Sequence, residues 1–311
     1  MPISYRFILF QTLIIGPFMM GMFLKPCFKS PNQIARRIVL LNLCMFDPVI
    51  ILWTVWGLEI SVALLYLPFA GLWIVTFGFA VGYLFSIPLG LSPKSRATFV
   101  ISASLSNHGF TLGGFVCYLL LGEEGLALAY IFLTYFVFYL FMFIFPYARW
   151  AQASETPIPK YQLILDTVIN VRNIPLYTTL IALTLQIWGI PRVAIDMPVD
   201  RMLLISISIY YFSLGLTYSI NQQPNYKHIH GYQVLIKFGI MPLFAFLLTY
   251  FLPLDPLMVS VIQIQSFMPV AILSVVVSIL FELDTPMAAS LFVWNTIVFL
   301  VFVFPFMYFW G

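Results

Sequence analysis

Apolar runs long enough to cross a bilayer follow one another along almost the whole of this chain. Read by length and by Pro, Gly and charge punctuation, they number about ten, of roughly 17 to 25 residues each. They lie near 6–24, 38–57, 61–89, 97–121, 125–148, 174–190, 203–221, 232–252, 257–281 and 285–309. The first follows Arg6 and leads into "KPCFKS" with no small-residue cleavage site, so it reads as a retained span and not a signal peptide. With 62% hydrophobic and 8% charged residues, the chain cannot cover a water-facing surface. The expected class is an all-α integral membrane protein.

Charge then gives orientation. Numbered from the first span, the odd loops hold Lys25, Lys29, Arg36, Arg37, Lys94, Arg96, Arg149, Lys160, Arg172 and Lys227, with Lys237 just inside the eighth span. The even side has only Arg6, Arg192 and Arg201. Cytoplasmic loops collect cations, so both termini are expected outside a plasma or bacterial inner membrane. The net charge of +3 is spread over short loops without a basic tract, which argues against a nucleic-acid partner and for orientation signals. Cys27, Cys44 and Cys117 have neither metal-ligand spacing nor an even-numbered framework. No metal or cofactor is expected.

The longest connection divides the chain into 1–150, a cytoplasmic linker 151–173, and 174–311. Five spans on each side, entering from opposite faces, make two inverted five-helix repeats. The fourth span is interrupted by "SLSNHGFTLGGF" and its counterpart, the ninth, by "QIQSFMPVA". An opened backbone turn in lipid leaves N–H and C=O groups unpaired at several kcal/mol each, so such turns survive only inside protein or beside a cavity. Interrupted helices at matching places in two halves are the best sequence pointer to a transporter site. Broken, crossing helices 4 and 9 are therefore expected.

The stretch "SNHGFTLGGFVCYLLLGEEGLALAYIF" resembles the fourth-helix segment of the auxin efflux carrier family. "SFMPVAILSVVVSILFELDTPMAASLFVWNTIVFLVFVFPF" resembles its ninth and tenth helices more closely, and "NIPLYTTLIALTLQIWGIP" and "FSLGLTYSI" are similar to its sixth and seventh. Where the family usually has a Pro after the Asn crossover, this chain has Gly113 and Gly114. The resemblance implies the ten-helix fold shared with bile-acid/sodium symporters and sodium/proton antiporters, in which a crossover domain moves against a panel, elevator fashion, often in a homodimer. Spans 1–2 and 6–7 would form the scaffold and spans 3–5 and 8–10 the transport domain. It implies an efflux-type secondary carrier of a small organic anion working by alternating access. Sodium- or proton-coupled symport is the alternative, with a receptor or channel beyond it.

The residues carry the same chemistry on their own. Half-helices ending at mid-membrane aim N–H groups and partial positive charge into a cavity, which suits a carboxylate. No Lys or Arg is expected in the middle of a span. The candidate substrate residues are Asn107, His108, Gly109, Gln263, Gln265, Ser266 and Pro269. Asn107 either holds a carboxylate or caps the freed backbone; Pro269, Gly113 and Gly114 make the breaks. Gln263 and Gln265 lack the acidic neighbour that a sodium site wants. Asp47, in "LLNLCMFDPVIILW", would cost about 2.5 to 3.5 kcal/mol if ionised at a span centre. It is either a proton or cation relay or a hydrogen-bonded brace at the Pro48 kink; His108 is either a second titrating group or a neutral hydrogen-bonding residue packed behind the crossover. Ser206, Ser208, Tyr210, Tyr211, Ser213 and Thr217 either line the cavity or pack helices. No GxSxG and no second membrane aspartate argue for an enzyme.

Overall fold

The computed structural model describes residues 3–57, 62–108, 112–152, 174–217 and 227–310. Among these the regular secondary structure is all helical, apart from one isolated antiparallel bridge between Ser106 and Val270. Five stretches are long and apolar enough to cross a membrane: Gln33–Trp56, Val62–Ser86, Gly113–Tyr135, His228–Phe251 and Thr285–Phe309. The expected linker lies outside the described residues from 153 onward.

In the first half the helices are α1 (Ile3–Leu24), α2 (Pro31–Trp56), α3 (Tyr66–Ser86), α4 (Pro93–Ser104), α5 (Gly113–Phe132), a short α6 (Phe136–Tyr139) and α7 (Phe145–Gln152). In the second they are α8 (Ile174–Ile187), α9 (Val199–Thr217), α10 (Lys227–Leu235), α11 (Met241–Phe251), α12 (Pro256–Ser266), α13 (Ile272–Leu280), α14 (Thr285–Val298) and α15 (Phe304–Trp310). Helix starts follow local chemistry. Ser92 caps α4 by accepting from the Ser95 N–H, Asp255 caps α12 through Leu257, and Asp284 caps α14 through Met287. Each cap is followed by a proline at the first or second helical position, where no N–H is missed. Gly122, at φ 77°, breaks α5 into two helical pieces within "GEEG", a conformation that costs glycine little.

Contacts group the chain into two compact units, each drawing on both halves of the sequence. The first comprises Met1–Val62, Phe110–Ile131 and Val168–Ile220; the second comprises Ala63–Gly109, Phe132–Thr167 and Asn221–Gly311.

In the first unit α9 packs on both α1 and α2, and α2 packs on α8. The α1–α9 crossing is a backbone contact made at two glycines. A Cβ on Gly215 would lie 2.9 Å from the Met22 nitrogen and 3.0 Å from the Gly21 Cα, and would also collide with the Phe18 carbonyl. Small residues let membrane helices approach this closely and gain dispersion contact. Gly215→Val is therefore expected to force the helices apart and cost about 1–3 kcal/mol. A thermal melt of the purified variant should show a clearly lowered midpoint; an unchanged one would mean that the crossing is not this tight. At the end of α2, Arg192 stacks 4.8 Å from the Trp53 ring and donates to the Trp53 carbonyl at 3.2 Å. Trp56 donates to the Ile190 carbonyl at 2.7 Å. A cation beside the carbonyl end of a helix is well placed electrostatically, so Arg192 fastens the segment before α9 to α2.

In the second unit α4 packs on α3, α7 and α14, and α14 packs on α10 and α13. π turns at Leu140–Ile144, Ile236–Ile240 and Phe299–Val303 each insert an extra residue into a helix of this unit. Such turns occur often where a side chain is re-aimed for function.

Candidate functional site

Two broken helices meet in the second unit. Helix α4 ends at Ser104, and Leu105 turns to an extended conformation at φ −78°, ψ 117°. Helix α12 ends at Ser266, where Phe267 and Met268 fold back onto the Ile264 and Gln265 carbonyls at 3.2 and 3.1 Å. The two extended segments then pair with each other. The Asn107 N–H donates to the Pro269 carbonyl at 2.7 Å, and the Ala271 N–H donates to the Leu105 carbonyl at 3.0 Å. Backbone groups that each helix gives up at its break are recovered from the other, as buried N–H and C=O groups require.

Buried polar side chains surround the pairing. Ser104 donates to the Val75 carbonyl at 2.9 Å and shares a 2.7 Å hydrogen bond with the Tyr139 hydroxyl. His108 Nδ1 lies 2.9 Å from the Tyr135 hydroxyl, and its ring stands edge-on to Phe132, with centroids 5.2 Å apart. The Gln265 backbone is within electrostatic reach of that imidazole, but Nε2 makes no hydrogen bond of acceptable geometry. Asn107, Gln265, Ser266 and Pro269 are buried, while Gln263 is half-buried. Ser266 is occupied locally, donating to the Gln263 carbonyl at 2.7 Å. Gly109 lies outside the described residues, and Gly113 and Gly114 open α5.

The residue that charge counting misplaced is Lys237. It belongs neither to a loop nor to a span end. It sits in the π turn Ile236–Ile240, inside the apolar stretch His228–Phe251, with 0% of its surface exposed. Its Nζ donates to Ser106 Oγ, on the crossover segment, at 2.8 Å. The expectation that no span carries a cation in its middle is thus overturned. An ammonium has three donors, and no carboxylate pairs with this one among the described residues. Two features favour a cation there: α4 directs its carbonyl end, with partial negative charge, at the Ser106 turn, and the π turn re-aims the side chain.

Asp47 belongs to the first unit. It is 2% exposed. Ser206 Oγ donates to its Oδ1 at 2.8 Å and the Tyr210 hydroxyl donates to its Oδ2 in a short contact. Asn42 Nδ2 extends the set to the Ser206 hydroxyl at 2.9 Å. Ser208 and Ser213 of the same α9 stripe donate to the Leu204 and Ile209 carbonyls of their own helix, as packing serines do. The Thr217 side chain lies outside the described residues.

No family model matches this chain, and no curated protein matches it.

Proposed function

We propose that the protein is a secondary carrier of the auxin efflux type, moving a small organic anion across the membrane by alternating access around the crossover of the fourth and ninth spans. The observation that carries this reading is the antiparallel pairing of the two helix breaks with the Lys237 ammonium hydrogen-bonded at its edge. A broken-helix pair alone suits many polar ligands. A desolvated cation without a carboxylate partner selects for a negative one, since a buried charge is stable only when matched. On this reading the five-helix halves are inverted repeats, ten spans cross the membrane, and the cationic loops lie in the cytoplasm with both termini outside. Asn107 and His108 on one segment and Gln265 on the other would orient the ligand, with Lys237 supplying its counter-charge.

The test is flux. Purified protein in liposomes should take up radiolabelled monocarboxylates or dicarboxylates saturably and should show counterflow; linear, non-saturating flux would make it a channel, and none across the acid panel would remove the reading. Once a transported acid is found, Asn107→Ala separates ligand contact from backbone capping. A ligand contact predicts loss of about 1–3 kcal/mol of binding with the melt of the empty protein unchanged. A cap predicts a lowered melt with ligand-induced stabilisation retained.

A further inference from the structure

Beyond the crossover, the second unit buries a set of polar side chains that the proposed site does not use. Helix α10 carries His230, Gln233 and, past its end, Lys237, at spacings of three and four residues that keep them near one face. His230 Nε2 lies 3.1 Å from Ser290 Oγ of α14, and its ring rests 5.8 Å from that of Trp294. The starts of α4 and α14 are tied together: Ser95 donates to the Asp284 carboxylate at 2.8 Å and the Asp284 N–H donates to Thr98 Oγ1 at 3.1 Å. Ser102 is one turn beyond Thr98 on that flank of α4. Helices α4, α10 and α14 pack on one another, so these residues share one three-helix seam.

Ser102 of α4, Gln233 of α10 and Asn295 of α14, which lies three turns beyond Asp284 on the face that meets α4, are each 0% exposed. Among the described residues, neither amide atom of Gln233, neither amide atom of Asn295, nor Ser102 Oγ has a hydrogen-bond partner. Buried polar atoms are almost always satisfied, and where protein does not satisfy them ordered water does. Five such atoms together, in a seam with a half-buried His at one end and a buried ammonium at the other, describe a wetted passage better than a dry core.

We propose that Ser102, Gln233 and Asn295 line a file of ordered water running from the His230–Ser290 pair to Lys237, and that Lys237 exchanges its proton with bulk water through it. In that exchange the Nζ–H bond breaks as the first water accepts the proton, successive waters pass it on, and the amine keeps the electron pair; uptake reverses each step. Among the described residues, the titratable group in electrostatic contact with Lys237 is His108 on the crossover segment, which is bonded in turn to Tyr135, while Tyr139 reaches the neighbouring Ser104. Helices α3 and α11, which pack on the π turn, bring no buried titratable side chain. Lys237 is thus the group the file serves. The purpose of the exchange, a proton accompanying each anion, rests on the carrier reading; the water file does not.

The experiment reads the file without a substrate. With Cys27, Cys44 and Cys117 replaced by Ser, Asn295→Cys and Gln233→Cys should react with methanethiosulfonate ethylammonium at least about tenfold faster than Ile74→Cys, a 0% exposed apolar position of α3, outside the seam. Rates for both equal to that of Ile74→Cys would make the seam dry and overturn the proposal. Because cysteine variants can misfold, the native sequence supplies a second measurement. Reductive methylation with formaldehyde and cyanoborohydride, read by mass spectrometry, should label Lys237. The double variant Gln233→Leu, Asn295→Leu should lower that labelling about tenfold while leaving Lys94 unchanged. Unlabelled Lys237 in the native protein, or labelling unaffected in the double variant, sinks the proton path. Labelling as expected in a protein without saturable anion flux would remove the carrier reading and keep the file.

Discussion

Lys237→Met is expected to abolish anion uptake while leaving the fold as stable as before, or more so. The two effects part because one residue does two things. As a buried ion it is expensive: taking an ammonium out of water costs several kcal/mol, and exchanging buried ions for apolar side chains of similar size is often neutral or stabilising. Methionine fills comparable space and removes that cost. Its loss deprives Ser106 Oγ of one donor, but a serine hydroxyl retains its own proton and can turn to another acceptor. On the carrier reading Lys237 is the counter-charge of a bound carboxylate, and it has no substitute among the described crossover side chains, which are neutral amides, hydroxyls and an imidazole. Losing one partner of a desolvated charge pair costs about 2–5 kcal/mol, or roughly 30- to 4000-fold in affinity. Liposome uptake and thermal melts on the same preparation decide it. Should the melt fall while uptake survives, Lys237 would serve only to offset the carbonyl end of α4.

The features of this fold that a sequence can carry are those with a local physical cause. Ser92-Pro93, Asp255-Pro256 and Asp284 with Pro286 announce helix starts because cap and proline act within one turn. The Gly-rich and Pro-containing interruptions at 105–112 and 267–271 announce breaks for the same reason, and Gly122 marks the turn inside α5. What stayed hidden depends on partners far along the chain. Asp47 was conspicuous, yet its acceptor role is set by Ser206 and Tyr210, more than 150 residues away. The spacing of four between those two residues puts them on one helix face, but nothing local says which helix faces them. Lys237 was assigned by the sign of its charge when its depth in an apolar run was the better guide, since intramembrane cations are costly and seldom idle. Gln233 and Asn295 gave no signal, because a lone amide in an apolar helix looks the same whether it is dry, paired or wetted.

Asp47→Leu is expected to prevent stable folding, whereas Asp47→Asn is expected to fold and to keep the pH dependence of transport. The carboxylate joins α2 to α9 by accepting from the hydroxyls of Ser206 and Tyr210, and through Ser206 it holds Asn42 as well. Leucine would leave two buried hydroxyls without their acceptor at about 1–3 kcal/mol each, besides losing the link between helices. Set against a total stability of about 5–15 kcal/mol, that loss is enough to deplete the folded population during purification. Asparagine is close to isosteric and keeps one acceptor oxygen, and the hydroxyls facing its amide can rotate to accept. It cannot ionise. If Asp47 is the brace that its two donors make it, Asp47→Asn should therefore lower the melt modestly and leave pH-gradient-driven uptake in place, with any proton coupling residing at Lys237. The opposite result, an unchanged melt with pH-gradient drive abolished, would make Asp47 the proton relay and reduce Lys237 to a fixed charge. His108→Gln provides the control for a neighbouring titratable group: it keeps a polar partner for the Tyr135 hydroxyl and removes the only imidazole on the crossover segment. A pH profile that moves with His108→Gln but not with Asp47→Asn would locate proton exchange in the second unit, around the crossover, and leave the first unit to hold its helices together.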